Sequence, residues 1–148
     1  MRLEVRSLTV DDEAAWRVLW TGYLAFYHTT LPDAVYEATW ARLHSDGRYE
    51  PNGLFAVADG EPVGLAHYYF QRHGWRIEEV VYLQDLYAAP EARGLGIGRA
   101  LIEAVYAAAD RAGCPSVYWT TAADNVSGRR LYDRIGQLTP FIKYQRPA

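Results

Sequence analysis

The run Val80 to Gly98, VVYLQDLYAAPEARGLGIG, governs how the rest of the chain is read. Val80 to Ala88 is rich in β-branched and aromatic side chains and predicts a central strand ending at Ala89-Pro90. A glycine-rich turn follows. From about Gly98 the apolar positions Leu101, Ile102, Val105, Ala108, Ala109 and Ala112 recur at helical spacing until Gly113 and Pro115 stop them. In Arg93-Gly94-Leu95-Gly96-Ile97-Gly98-Arg99, between that strand and that helix, the free N–H groups of the helix start and its dipole converge on one spot. Glycines let an anion come close to the backbone there, a combination suited to phosphate. Arg93 and Arg99 add charge and fork geometry. The same residues also fit a tight turn whose glycines only permit the bend. Two phosphate loops are excluded by spacing: a G-x-G-x-x-G pattern begun at Gly94 meets Arg99 at its third glycine, and no Gly-Lys-Ser/Thr is present.

Upstream, Leu54 to Ala58 and Val63 to Gln71 flank Asp59-Gly60-Glu61-Pro62, a hairpin signal that makes them an antiparallel pair. Arg2 to Leu8 alternate as a short strand, and Thr9 or Asp11 caps a helix whose positions Trp16, Leu19, Trp20, Tyr23, Leu24 and Tyr27 share a face. Leu31-Pro32-Asp33 breaks it, with Pro32 at the first position of a second helix running to about His44. Downstream, Ser116 to Thr121 reads as a strand, Asp124 or Asn125 caps a helix to about Gly136, and Phe141 to Gln145 reads as a last strand. The expected order is β-α-α-β-β-β-α-β-α-β, one α/β (α+β) domain over residues 1–148 with no internal repeat.

Composition narrows the function classes. The 148 residues are 50% hydrophobic and 22% charged, which excludes a disordered or collagen-like chain. No apolar run reaches the length of a membrane span and the start, MRLEVRSLTV, lacks a signal-peptide core, so a soluble cytoplasmic protein with no membrane partner is expected. A single cysteine, Cys114, and histidines scattered at 28, 44, 67 and 73 offer no metal-site spacing, so no metal is expected. Residues 1–91 hold 14 acidic and 7 basic side chains and residues 92–148 hold 4 and 8, so the halves balance at −7 and +4. Such asymmetry steers a cationic partner to one part and an anionic one to the other, or is solvated surface. The net charge of −3 argues against a nucleic-acid partner.

At Arg93 to Gly98 the chain resembles the GNAT superfamily of acetyl-CoA-dependent N-acetyltransferases, whose Q/R-x-x-G-x-G/A signature these residues match. A second feature of that superfamily, an Asn followed by Leu-Tyr and then Gly, is matched by Asn125, Leu131-Tyr132 and Gly136. Tyr82 to Tyr87, Ser116 to Thr120 and Phe141 to Tyr144 look most like its small polyamine and histone acetyltransferases. The resemblance implies a mixed, mostly antiparallel central sheet that splays between its fourth and fifth strands, flanked by about four helices. It implies acetyl-CoA held at its pyrophosphate by Arg93, Gly94, Leu95, Gly96, Ile97, Gly98 and Arg99, with Asn125 also on the cofactor side. Leu86, Tyr87 and Ala88 meet the pantetheine arm, and one of their N–H groups polarises the thioester carbonyl. It also implies a homodimer, with the last strand pairing between subunits.

Acetyl transfer to an amine needs a neutral amine, a polarised carbonyl and protonation of the leaving thiolate. Tyr132 matches the superfamily tyrosine that protonates sulfur; otherwise it is a core aromatic. The base is open. Relatives in the polyamine branch often carry Glu where Gln84 stands, and an amide cannot take that role. Asp85 is adjacent and ionisable, but alternation puts it on the opposite face from Gln84 unless a bulge turns it. Glu78 and Glu79 acting through water, or an amine arriving already deprotonated, are alternatives. Trp20, Tyr23, Tyr27, Tyr68 and Trp75 are candidates to receive an ammonium group, Tyr23 and Tyr27 foremost, with Gln84 beside the acceptor. His28, His67 and His73 have no evident partner and read as structural or surface residues. The function expected is transfer of an acetyl group to a primary amine of a small molecule or a protein lysine by direct attack. The alternative is a module that binds coenzyme A without turnover.

Overall fold

The computed structural model describes residues 1–148. The first strand, β1 (Leu3–Ser7), runs into a single 3-10 turn at Val10–Asp12, which leads into α1 (Glu13–Phe26). A capping box holds this corner. The Thr9 hydroxyl accepts from the Asp11 N–H at 3.3 Å, and the Asp12 carboxylate accepts from the Thr9 N–H at 2.7 Å. Arg6 grips the same carboxylate with two N–H groups, at 2.7 and 3.0 Å. That hydrogen-bonded guanidinium pulls the Asp12 pKa from 3.8 down to about 2. A depressed carboxylate stabilises the fold above its unfolded value and loses that contribution as pH falls. Asp12→Asn should therefore lower stability at pH 7 by about 1 kcal/mol, with the gap to wild type closing between pH 4 and 2 in urea melts.

Pro32, with φ −69° and extended ψ, sits one position outside α2 (Asp33–Leu43) and acts as its N-cap residue. Next come β2 (Asn52–Ala58) and β3 (Glu61–Gln71), turned by Asp59 and Gly60 at φ +50° and +86°, the two left-handed residues a tight hairpin requires. The chain continues through β4 (Val80–Ala88), α3 (Ile97–Arg111), β5 (Val117–Tyr118) and α4 (Val126–Ile135), where the Asn125 side chain accepts from the Gly128 N–H. Strand order is β1-β2-β3-β4-β5, antiparallel through β4 and parallel between β4 and β5. One sheet face packs Ala56, Ala66, Val81 and Leu83 on Leu101, Ile102 and Val105 of α3. The other packs Phe55, Val57 and Leu65 on Trp16, Leu19 and Trp20 of α1 and Tyr36 of α2.

Two expected strands differ. β5 is shorter than Ser116 to Thr121, because only Val117 and Tyr118 pair with β4, opposite Val81 and Tyr82, before the strands part. Phe141 to Gln145 is not a strand. The segment pairs with no strand of the sheet, and Phe141, Ile142 and Tyr144 stand exposed. No helix is long and apolar enough to cross a membrane.

Candidate active site

The parting of β4 and β5 opens a cleft of roughly 250 Å³ lined by Tyr23 of α1 and Tyr27 just past its end, Tyr82 to Leu86 of β4, Trp119 to Ala122, Tyr132 and Lys143. A one-residue bulge decides which side chains enter it. His67 pairs with Asp85 and Tyr68 with Leu83, so Gln84 is an extra residue in β4. Val81 and Leu83 face α3, whereas beyond the bulge Asp85 and Tyr87 face α1. Gln84 is exposed at the bulge, and its carbonyl accepts from the Tyr23 hydroxyl at 3.4 Å.

Asp85 is 7% exposed, and its contacts all fall on one oxygen. Oδ2 accepts from Trp20 Nε1 at 3.2 Å and pairs with His67 Nδ1 at 2.8 Å. Trp16 Nε1 in turn donates to His67 Nε2 at 2.9 Å. Oδ1 takes no bond from the protein, and Asp85 lines the cleft. Burial and the nearby Asp85 charge push the Tyr23 hydroxyl well above its ordinary pKa, so it remains a proton donor. Burial and then the neighbouring Tyr27 also raise Tyr132 from 10.0. Its ring meets Trp119 edge-on at 5.6 Å.

The turn before α3 has the form an anion needs. Gly94 and Gly96 adopt φ +82° and +81°, and nothing lies within 4 Å of where a Cβ would stand on either. The amides of Gly96, Ile97, Gly98 and Arg99 donate to no protein acceptor, the ordinary state of a helix start. The two arginines point elsewhere: Arg93 Nε donates to the Ala88 carbonyl at 3.3 Å and Arg99 Nε to Glu103 at 2.8 Å. Each bond uses one of the five guanidinium N–H groups, and the backbone amides of the turn are free of protein acceptors. Asn125 caps α4, its Oδ1 accepting from the Gly128 N–H at 3.2 Å and its Nδ2 donating to Thr121 Oγ1 at 2.9 Å, and so ties α4 to the Thr121 wall of the cleft. Leu86, Tyr87 and Ala88 pair with Ala66, Leu65 and Gly64 on one side, and β5 offers them no ladder on the other.

Other candidates fall away from the cleft. Tyr68 is in the α3-side core and Trp75 is exposed on the turn after β3. Glu79 is held by Arg48, whose Nε lies at 2.8 Å, and Glu78 by Arg76 at 3.4 Å. Cys114 is buried. His67, expected to be structural or on the surface with no evident partner, is buried and bonded to Trp16 and Asp85; its only signal is one imidazole amid the apolar run Val63 to Phe70, and what it pairs with depends on strand register.

Residues 13–137 match the Acetyltransferase (GNAT) family. The chain belongs to the GNAT family. It is an N-acetyltransferase. This GNAT protein is 39% identical over 147 residues to the D-amino-acid N-acetyltransferase HPA3 of Saccharomyces cerevisiae, covering 98% of this chain and 91% of that one. It is 29% identical over 135 residues to the aminoglycoside N(6')-acetyltransferase type 1 of Stenotrophomonas maltophilia, covering 89% and 84%. Among solved structures it superposes on AAC(6')-Iy in complex with the bisubstrate analogue CoA-S-monomethyl-acetylneamine, with a TM-score of 0.84 and 21% identity over 100% of this chain and 99% of that one. The mixed, splayed sheet is thus the GNAT fold.

Proposed function

We propose that the protein is a cytoplasmic, acetyl-CoA-dependent N-acetyltransferase whose acceptor is a small primary amine that also carries a carboxylate. The observation that carries this reading is one cleft lined at once by a buried carboxylate, Asp85, a proton-holding phenol, Tyr132, and the sole lysine, Lys143. The free amides of the turn before α3 fit a pyrophosphate, and the unpaired edge of Leu86 to Ala88 fits an amide-rich arm. Asp85 Oδ1 receives the ammonium group and takes its proton. The freed amine attacks the thioester carbonyl carbon directly, a β4 N–H steadies the developing oxyanion, and the C–S bond breaks as Tyr132 gives its proton to sulfur. The product nitrogen releases its remaining extra proton to solvent, from which Tyr132 is reprotonated, and Asp85 gives up the proton it took to solvent, which restores the carboxylate. Lys143 meets the acceptor's carboxylate, and the similarity to a D-amino-acid N-acetyltransferase supports that class. Residues 1–148 act as one domain. The exposed apolar tail, Phe141, Ile142 and Tyr144, supports a homodimer, for which light scattering should give twice 16.8 kDa.

The test follows free thiol on mixing the protein with acetyl-CoA and D- and L-amino acids, their methyl esters, polyamines, aminoglycosides or lysine peptides. Thiol release is expected with free amino acids, and Lys143→Met should raise their KM about tenfold while leaving that of the methyl esters within about twofold. Preference for polyamines or lysine peptides would reject the carboxylate assignment. Thermal stabilisation by coenzyme A with no release from any acceptor would favour a binding module instead.

A further inference from the structure

We propose that His67 is a positioning residue, whose Nδ1–H holds the Asp85 carboxylate with one oxygen tied and the other presented to the acceptor amine. This rests on the reading of Asp85 as proton acceptor. Indole nitrogen can only donate, so Trp16 Nε1, 2.9 Å from His67 Nε2, requires that nitrogen to be the unprotonated acceptor. The ring's hydrogen therefore sits on Nδ1 and is donated to Asp85 Oδ2 across 2.8 Å. A second proton on the imidazole would set Nε2–H against the indole N–H inside a core where Trp16 is 0% and His67 2% exposed. His67 is thus locked as a donor to Asp85 and cannot compete with it for the substrate proton. Trp20 adds a second donor to the same oxygen at 3.2 Å. The order reverses that of a serine-protease triad: there a histidine meets the substrate and a carboxylate orients it, whereas here the carboxylate meets the substrate and the histidine orients it. The device exists because the bulge at Gln84 brings Asp85 to the face that His67 occupies in the facing strand.

Two near-isosteric variants separate positioning from simple core packing. His67→Asn keeps an N–H where Nδ1 stood and abandons Trp16, whereas His67→Gln keeps an acceptor for Trp16 and abandons Asp85. Each loses one buried hydrogen bond, so similar falls in Tm are expected. With acetyl-CoA and the fastest amine of the panel above, His67→Gln should lower kcat about 10- to 100-fold with KM for the amine within about threefold, and His67→Asn should retain most of the turnover that His67→Gln loses. Equal kcat losses in the two variants, or losses that track Tm, would overturn the inference. Asp85→Asn, measured in parallel, separates the two levels of the argument. If it turns over like wild type, the reading of Asp85 fails and the inference with it; if it is inactive while His67→Gln is not, only the inference fails. In the wild-type protein, ¹⁵N spectra of the histidine rings at pH 7.5 should show His67 protonated at Nδ1 alone, and a proton on Nε2 would also overturn it.

Discussion

Asp85→Asn is expected to lower kcat/KM for the amine by about 10²- to 10⁴-fold while leaving the fold intact. The fold survives because the amide can turn its oxygen toward the two donors that Oδ2 serves, His67 Nδ1 at 2.8 Å and Trp20 Nε1 at 3.2 Å. That orientation sends the NH2 group into the cleft. An ammonium ion then meets another donor instead of a charged acceptor, and no group remains there to take its proton. The loss should shrink as pH approaches the pKa of the free amine, because more of the acceptor then arrives deprotonated. Kinetics from pH 6.5 to 10 check this: a deficit that stays constant across the range places Asp85 outside proton transfer.

Tyr132→Phe should lower kcat by about 10²-fold and change the affinity for coenzyme A less than threefold. The ring's packing on Trp119, with centroids 5.6 Å apart, is kept, so only the hydroxyl is lost. An acid must hold its proton until the thiolate forms. Burial, and then the neighbouring Tyr27, push Tyr132 above its ordinary value, so its acid form is full throughout the neutral range. Accordingly, no fall of kcat across the neutral range should come from this residue. A Phe variant that turns over like wild type removes Tyr132 from the mechanism.

Both residues were visible in the chain, but with different completeness. Tyr132 sits in a local pattern: Asn125 starts α4 and Leu131 lies on the same helix face that meets α3, so a few neighbours suffice to aim it. Asp85 was visible only as an ionisable residue in a strand. Strict alternation aims it by the parity of the residue before it, and one bulged residue inverts that parity. The Phe141 to Gln145 segment shows the converse failure. Its residues favour a strand, but strand propensity is realised only beside a partner ladder, and this segment lies against none.

What the order of residues settled unaided is whatever depends on near neighbours. This covers the hairpin at Asp59-Gly60, the strand at Val80 to Ala88, the glycine turn before α3 and a helix cap at Asp124 or Asn125, of which the fold uses Asn125. Each follows from backbone sterics or hydrogen bonds spanning a few positions. Packing of distant segments settled the chemistry of the cleft. Trp16, His67 and Asp85 are separated by 51 and 18 positions, and their chain of hydrogen bonds exists only because β3 and β4 pair in one register beneath α1. A hydrogen bond is lost over about an ångström of displacement, so no pattern in composition or spacing can announce it before the core has fixed those three side chains in place.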